Sequence, residues 1–380
     1  MVVVTEQQLN RSTLARQLLL ERGQVGVGDA VRRVVGIQAQ EPAGIYLSLW
    51  NRVAGFDPVA LDAAISGNEV VRALLVRITL HVVHRDDYTA FHAAMVHNLR
   101  ASRLGDRRFT DAGFTKRDAD GVLDEFLAYV AVPRARGEIG SFLSDRFDRP
   151  VDRLWWALRT FAPIVHVPAA GPWSFVSGGP MQAASIDPEP PTPEAALGYL
   201  FRRYLEGFGP ATAQDFGLFA LQRRPSWQAA IAHLGDELVV REGPGGVRLY
   251  DVADGVIADG DTPSPPRLLP MWDNILLAHV DRSRVIPHEY RPHVIHRNGD
   301  TLPTLLVDGR VAGIWRPAPD GTIEATAFHR LPRGTWAELE AEAADLLRLL
   351  ADRDPTPYAR FGHWWDKLTL NAAEIRRIGR

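Results

Sequence analysis

Residues 209–216, Gly209-Pro210-Ala211-Thr212-Ala213-Gln214-Asp215-Phe216, have the pattern of a short turn that leads into the second helix of a helix-turn-helix. Thr212 is well placed to cap that helix, because a threonine hydroxyl accepts a hydrogen bond from a free N–H of the first turn. A third helix is predicted over 226–234, and strands over 237–241 and 247–252 follow it. Helices followed by a two-stranded hairpin, or wing, are typical of a winged helix.

The same order of helices and wing is predicted twice more, closer to the N-terminus. In one helix Asp57 is the expected N-cap, Pro58 occupies the first turn and Gly67 follows the end. The first unit is predicted to have helices at 12–22, 29–38, 42–50 and 58–66 and a hairpin at 70–83. The second is predicted to have helices at 87–103, 118–132 and 151–160, to continue through 136–141, and to have strands at 164–167 and 173–176.

Two proline-rich runs, 187–193 and 260–266, flank the third unit, and a helix cannot easily cross such a run. After the second run the pattern changes to short β-like stretches and one amphipathic helix. These are predicted at 285–287, 293–296, 304–307, 310–316, 322–329 and 335–351. We therefore predict an α+β fold with three tandem winged-helix units and a C-terminal β-rich, small barrel-like domain. The predicted domains are 1–110, 111–186, 194–258 and 267–380.

The segment Gln38-Ala39-Gln40 lies in the first unit and is the strongest candidate for a functional motif. With Asp29 as N-cap, an apolar row at helical spacing is predicted to end in Gln38 rather than in an aliphatic residue. A buried amide must be fully paired or face something polar. Pro42 suits the first turn of the next helix, so Gln40 is expected at or just before its N-terminus. Both amides are predicted to project into one notch.

Ordinary explanations of this motif exist and are common. Glutamines at helix ends are more often caps or satisfied core amides than catalytic groups. Glu41 offers a competing catalyst, because a carboxylate can act as a general base. Its position in a first helical turn is also explained by the helix dipole, which is the interpretation that we favour.

Composition removes several classes of chemistry. The chain has 380 residues and no cysteine, which excludes disulfides, thiolate nucleophiles, iron–sulfur clusters and zinc fingers. No window approaches the ~18 continuous apolar residues of a membrane span. Residues 1–6 lack the basic start of a signal peptide. The expected location is cytoplasmic, in association with the nucleoid. A formal net charge of −3 argues against a general nucleic-acid coat protein but permits a local basic face.

Other catalytic and metal-binding motifs are missing from the sequence. The pair His81 and His84 falls in a predicted strand, where residues three apart point to opposite faces, so no metal site is predicted. No nucleophile elbow, phosphate-binding loop or dinucleotide fingerprint is present. The chemistry would therefore have to come from amides.

Several stretches of the chain together resemble a bacterial family of tandem winged-helix proteins. Some members are DNA glycosylases of the AlkZ and YcaQ type, which remove bulky alkylated or cross-linked purines. The resembling stretches are residues 9–12 (LNRS), 36–40 (GIQAQ), 77–81 (RITLH), 268–274 (LLPMWDN), 281–284 (DRSR) and 307–316 (VDGRVAGIWR). Two residues depart from the family pattern: Ala39 is a small middle residue, and Ile78 stands where a glycine is expected.

The resemblance implies that Gln38 and Gln40 are the catalytic residues and that no cofactor is used. An amide cannot act as a base near neutral pH, so the two glutamines would position a water and stabilise charge. Such a site suits a purine alkylated at N7 or N3, because that base already carries a positive charge and leaves as a neutral molecule. Only Lys116 and Lys367 are lysines. We therefore expect a monofunctional enzyme that leaves an abasic site, without the Schiff-base chemistry that needs an amine.

The expected partner is double-stranded DNA with alkylated purines, bound by a monomer and without a membrane. Two candidate DNA-contacting groups are an arginine-rich segment and a predicted hairpin tip, although both could be ordinary solvated surface. They comprise Arg100, Arg103, Arg107, Arg108, Lys116 and Arg117, and His296, Arg297 and Asn298. A non-catalytic DNA-binding regulator and a protein-interaction scaffold remain alternatives, and neither of them would release a base.

Overall fold

A computed structural model describes residues 3–187, 189–368 and 372–379 of the chain. Expectations that concern Met1, Val2 or Pro188 lie outside these residues. The fold is α+β, as predicted. The helices are α1 (Glu6–Arg16), α2 (Val27–Arg33), α3 (Pro42–Trp50), α4 (Pro58–Ser66), α5 (Arg85–Leu104), α6 (Arg107–Thr110), α7 (Lys116–Tyr129), α8 (Arg136–Ser144), α9 (Asp152–Phe161), α10 (Pro193–Phe208), α11 (Ala213–Phe219), α12 (Arg224–Leu234), α13 (Arg291–Val294) and α14 (Arg333–Ala351).

The strands form small antiparallel sheets. They are β1 (Ile37–Gln38), β2 (Val70–Leu74), β3 (Leu80–His84), β4 (Ile164–His166), β5 (Met181–Ala183), β6 (Leu238–Glu242), β7 (Arg248–Val252), β8 (Arg267–Leu269), β9 (Thr304–Val307), β10 (Arg310–Pro317), β11 (Ile323–Ala327) and β12 (Glu374–Ile378). Their orders are β1-β3-β2, β4-β5, β6-β7 and β12-β11-β10-β9-β8. Within the described residues, no helix is long and apolar enough to cross a bilayer.

The first helix begins earlier than the sequence suggested. The prediction of a helix over 12–22 is wrong, because Thr5 and Gln8 form a capping box that starts α1 at Glu6. Leu18 then takes a left-handed conformation, with φ of 56°, just beyond the end of the helix. Residues 6–11, which were not predicted to be helical, therefore belong to α1, and Leu9, Asn10 and Arg11 are buried in it.

The segment before the Gln38-Ala39-Gln40 motif is also different from the prediction. α2 starts after Gly26, so Asp29 lies inside the first turn and is not the N-cap. The helix does not reach Gln38, because Val35 and Gly36 turn the backbone with φ of 65° and 91°. A Cβ at Gly36 would lie 3.0 Å from the carbonyl oxygen of Val82, so only glycine allows this close approach. The chain then enters β1.

Local signals were decisive in the rest of the first unit and in the third. Helices α3 and α4 and the β2-β3 hairpin are confirmed, and Asp57 accepts a hydrogen bond from the N–H of Val59 at the start of α4. Thr212 caps α11 through a capping box with Asp215. The wing of the third unit is confirmed as β6 paired with β7.

The second unit contains one strand error. β4 pairs with β5 at 181–183, so the prediction of a partner strand at 173–176 is wrong. Trp173 and Phe175 lie in a loop that packs into the core, at 7% and 6% exposure. They do not belong to a pair of hydrogen-bonded strands. The ring of Trp173 packs 5.1 Å from that of Tyr46, between centroids. The alternating apolar residues at 173–176 therefore reflect a loop with buried side chains and not a strand.

The C-terminal β-rich region is a five-stranded antiparallel sheet with β12 and β8 at its edges. Strands β9, β10 and β11 match the predicted stretches. The predictions of strands at 285–287 and 293–296 are wrong: a 3-10 turn over Arg282–Arg284 leads into the first, and α13 ends at Val294, inside the second. α14 packs on the sheet through buried residues that include Trp336, Leu339, Leu346 and Leu350.

One continuous hydrophobic core runs through all of these regions. α1 also joins them through polar contacts. The Nδ2 group of Asn10 donates to the carbonyl oxygen of Gly309 at 2.8 Å, and Arg16 forms a two-pronged ion pair with Asp251 at 2.7 and 3.0 Å. The N-terminal helix is therefore fastened to both the third wing and the C-terminal sheet.

Buried His279 makes the stability of the fold sensitive to mild acid. Burial and the neighbouring Arg284 lower the pKa of His279 to about 3, and Arg284 Nη1 lies 2.9 Å from its Nε2. Asp215 and Asp281 oppose that shift without cancelling it. In the unfolded chain a histidine binds a proton near pH 6.5, so the unfolded state is favoured as pH falls below that value.

We expect the free energy of unfolding to decrease between pH 6.5 and pH 5, by up to about 1.4 kcal/mol per pH unit from this residue. Urea unfolding at several pH values measures the slope. The variant His279→Gln cannot take up the proton and should have a shallower slope. An unchanged slope in the variant would show that other groups cause the acid sensitivity.

Candidate active site

The two glutamines of the motif are held against strand β3 in different ways. Gln38 lies in β1 opposite His81 and is buried, at 6% exposure. Gln40 follows the strand and is exposed; its Oε1 accepts a hydrogen bond from the backbone N–H of Leu80 at 2.9 Å. As predicted, Gln40 comes just before a helix, because α3 begins at Pro42. Gln38 was expected at a helix end, and its strand position corrects that expectation.

Arg77 connects Gln38 to a distant part of the chain. Its Nη2 donates to Gln38 Oε1 at 2.7 Å and to Asn274 Oδ1 at 2.8 Å, and it lies 3.2 Å from His81 Nε2. Asn274 in turn donates from Nδ2 to the carbonyl oxygen of Gly36 at 2.8 Å. The stretches 36–40, 77–81 and 268–274 therefore converge at one place.

His81 is a neutral member of this network. It is fully buried, and burial together with the charge of Arg77 holds the pKa of His81 well below its usual range. Its Nδ1 lies 3.1 Å from the carbonyl oxygen of Thr79, so this nitrogen carries the proton and donates. The Nε2 lone pair is then free to accept from Arg77.

The backbone around this network is strained. Val35, Arg77, Ile78 and Trp272 all have φ between 55° and 65°, a region that costs a non-glycine residue roughly 1–2 kcal/mol. Ile78 stands where the family resemblance led us to expect glycine, and its φ of 56° is a glycine-favoured conformation. The chain therefore takes a glycine-favoured turn here with an isoleucine. Strain of this kind is concentrated at functional sites in proteins.

A second guanidinium group holds the middle of the motif. Arg72 is buried and donates from Nε and Nη2 to the carbonyl oxygen of Ala39, at 3.1 and 2.9 Å. Burial lowers the pKa of Arg72 to about 10, and burial with the nearby Arg282 lowers that of Arg77 to about 9. Both remain protonated at neutral pH. The motif is therefore flanked by two positive charges.

The one carboxylate next to the motif in sequence is already paired. Glu41 occupies the N-cap position of α3 but makes no capping hydrogen bond with its side chain. It forms an ion pair with Arg360 instead. Asp273 precedes Asn274 in the sequence, and its carboxylate is likewise bound to Arg52 through two contacts of 2.8 Å. Neither carboxylate is an unpaired base.

The predicted arginine-rich segment lies on α5, α6 and α7. Arg103 and Arg108 pack their guanidinium groups on the ring of Trp156, at 4.4 and 4.7 Å from its centroid. Arg103 also donates to Thr160, and Arg108 pairs with Asp106 at 2.7 Å. The other cations of the segment are Arg100, which pairs with Asp120, and Arg107, Lys116 and Arg117, which are exposed.

The predicted hairpin tip lies over 296–299 and is tied to the motif region. The indole Nε1 of Trp272 donates to the carbonyl oxygen of Gly299 at 3.0 Å. His296 stacks on Trp364 with centroids 3.9 Å apart, while Asn298 bonds back to Asp300 within the turn. Arg297 is exposed at the tip. The structure thus connects this tip, through the segment 272–274, with Gln38, and it places the arginine-rich segment on other elements.

Sequence reasoning missed Arg72, Arg77 and Asn274 as site residues. The available signal was that Arg77 and Asn274 lie inside stretches that carry the family resemblance. Among the residues that the structure describes, no cluster of three or more His, Cys, Asp or Glu side chains could hold a metal ion.

The chain is similar to known proteins over most of its length. A family model described as DNA glycosylase AlkZ-like matches residues 31–349. The chain is 26% identical over 351 residues to an interstrand DNA cross-link repair glycosylase of Streptomyces sahachiroi, covering 88% of this chain and 94% of that protein. The solved structure of the DNA glycosylase AlkZ from the same organism has the same fold, with a TM-score of 0.80 and 23% identity over 93% of this chain and 98% of that one.

The matched segment contains the Gln38-Ala39-Gln40 motif, Arg77 and Asn274, and it spans far more than half of the 380 residues. The chain therefore belongs to the AlkZ-like family of DNA glycosylases.

Proposed function

We propose that this protein hydrolyses the N-glycosidic bond of purines alkylated at N7 or N3 in duplex DNA and leaves an abasic site. Bulky adducts and interstrand cross-links are the proposed substrates, in line with the name of the Streptomyces sahachiroi relative. The observation that carries the proposal is the pair of amides, Gln38 and Gln40, at a site whose neighbouring carboxylates are already bound to arginines.

The chemistry follows from what an amide can do. Each Oε1 of the pair accepts one hydrogen bond from the protein and retains a second lone pair, which can accept a proton of a bound water. The water can then add its oxygen to the anomeric carbon while the carbon–nitrogen bond breaks. The electron pair of that bond neutralises the cationic ring, and the water proton passes to solvent. Because the leaving base departs neutral, no strong acid or base is required.

The flanking charges favour the same substrate class. Arg72 and Arg77 place positive charge beside the motif, which opposes formation of a positively charged sugar. A neutral base would have to be protonated there as well, at further cost. A base that already carries its charge loses it as the bond breaks. A base that already carries its charge therefore avoids the protonation step that the flanking arginines would oppose in a neutral base.

We further propose that the enzyme is monofunctional and that it binds DNA as a monomer. Lys116 lies at the start of α7, and the Lys367 amine packs 4.9 Å from the ring centroid of Trp364. Neither lysine contacts Gln38 or Gln40 among the described side chains. Strand cleavage through a Schiff base should therefore not occur.

The DNA surface that we propose combines the two predicted groups. Arg297 at the hairpin tip would enter a groove near the motif, and the exposed cations of α6 and α7 would contact phosphates further along the duplex. The four segments 1–110, 111–186, 194–258 and 267–380 are proposed as the domains that present these surfaces.

The test is incubation of the purified protein with duplexes carrying small or bulky N7-alkylguanine adducts. Alkali treatment reveals abasic sites as strand breaks, and borohydride reports covalent trapping. We expect breaks only after alkali, no trapped complex, and no release by the double variant Gln38→Ala/Gln40→Ala. DNA binding without release from any adduct would contradict the proposal, and trapped complexes would overturn its monofunctional part.

A further inference from the structure

We propose that Arg77 is the positioning residue for Gln38: it holds the amide oxygen of Gln38 so that the amide group presents one fixed face to the reacting water. This inference rests on the proposed function of Gln38. It adds a residue that acts through another and that does not itself touch the DNA.

The first argument is the number of acceptors that meet at one atom. Nη2 of Arg77 has two protons, and three acceptors lie within 3.2 Å of it: Gln38 Oε1, Asn274 Oδ1 and His81 Nε2. The contact with Gln38 is the shortest, at 2.7 Å. A guanidinium group delivers its donors in a rigid plane, so an acceptor bound to it has little freedom.

The second argument is that the other two acceptors are fixed independently of Arg77. Asn274 donates from Nδ2 to the carbonyl oxygen of Gly36, which turns its Oδ1 towards the arginine. His81 donates from Nδ1 to the carbonyl oxygen of Thr79, which turns its Nε2 lone pair the same way. Asn274 and His81 therefore fix the position of the Arg77 guanidinium group. Arg77 in turn fixes the position of the Gln38 side-chain oxygen.

The third argument is that burying Arg77 lowers the stability of the fold, so packing alone does not explain its presence. No carboxylate of the described residues pairs with it, its Nη1 is buried without a hydrogen-bond partner among the same residues, and its φ is 55°. Unpaired buried polar atoms and left-handed backbone both lower stability. Phe219 contributes a compensating contact, with the guanidinium carbon 5.3 Å from its ring centroid.

The consequence is a defined orientation of the Gln38 amide. The terminal torsion of a glutamine is broad and roughly two-fold, so a free side chain would exchange its oxygen and nitrogen. Arg77 selects the orientation with Oε1 towards itself. The Nε2 group makes no hydrogen bond to any described residue, which leaves its donors and the second Oε1 lone pair for the water and substrate.

The test is a double-mutant cycle on single-turnover base release from an N7-alkylguanine duplex. Arg77→Gln is expected to lower the rate on the order of 10- to 100-fold in the wild-type background. In the Gln38→Ala background it should cause no further loss, because the group that it positions is gone. Affinity for undamaged duplex and its salt dependence should stay unchanged.

A residue that serves folding in general would give additive losses in the two backgrounds, and that outcome would overturn the inference. A phosphate-binding residue would instead reduce the salt dependence of DNA affinity by about one ion per contact, and this would overturn it as well. If Arg77→Gln does not fold, Arg77→Lys retains the buried cation without the planar fork and enters the same cycle. Absence of base release by the wild-type protein would contradict the proposed function itself, so the two failures are distinguishable.

Discussion

Replacing Gln38 by alanine is expected to slow base release from N7-alkylguanine DNA by ~10²–10³-fold, the usual cost of removing one oriented group that stabilises a transition state. Gln38 is buried and locked by a hydrogen bond of 2.7 Å, so its dipole needs no reorganisation during the reaction. Single-turnover kinetics measure the rate. DNA affinity should change little, because the amide carries no charge.

Two matched variants sharpen this result. Gln182→Ala removes a glutamine of β5 that bonds to the carbonyl oxygen of Ala131, and it should leave the rate unchanged. Glu41→Ala removes the carboxylate nearest the motif in sequence; we expect a change of only a few-fold, because Arg360 already neutralises it. A loss with Glu41→Ala as large as that with Gln38→Ala would make the carboxylate the base and reduce the glutamines to scaffolding.

The largest effect on stability is expected for Asp273→Asn, at about 3–5 kcal/mol of lost unfolding free energy. Asp273 and Arg52 are both almost fully buried and share two contacts of 2.8 Å. Removing the carboxylate charge leaves the positive charge of Arg52 buried in the core without a counter-charge. Urea unfolding at neutral pH measures the difference.

The control for this variant is Asp152→Asn, which breaks an exposed ion pair. Asp152 and Arg136 are 3.8 Å apart and both largely exposed, so the expected change is below about 1 kcal/mol. Similar small losses in both variants would show that the Arg52–Asp273 pair is solvated in solution. Because Asp273 immediately precedes Asn274, its loss should also loosen the network that reaches Gln38.

Much of the fold could be predicted because its signals are local. Pro42 and Pro58 mark the starts of α3 and α4, and Asp57 and Thr212 cap α4 and α11. Gly299 permits a turn with φ of 90°. Each of these effects acts within one helical turn or one hairpin. The place of Gln40 just before α3 could be predicted for the same reason, whereas the pair itself was singled out by the family resemblance and Gln38 was wrongly placed at a helix end.

Errors arose where tertiary packing overrides local pattern. The apolar row before Gln38 looked helical, yet the backbone turns at Gly36 because β3 offers a ladder partner for β1. The edge strands β8 and β12 were missed, and β8 is buried at every position, so it shows no alternation. The loop with Trp173 imitated a strand because its large side chains are buried.

The sequence by itself determined the starts of α3 and α4, the cap of α11 and the wings of the first and third units, because caps, prolines and glycines act on their immediate neighbours. Only the tertiary structure decided that Arg77 meets both Gln38 and Asn274, since Arg77 is 39 residues from Gln38 and 197 residues from Asn274. Contacts over such distances depend on how strands pair and helices pack, and periodicity along the chain does not record that.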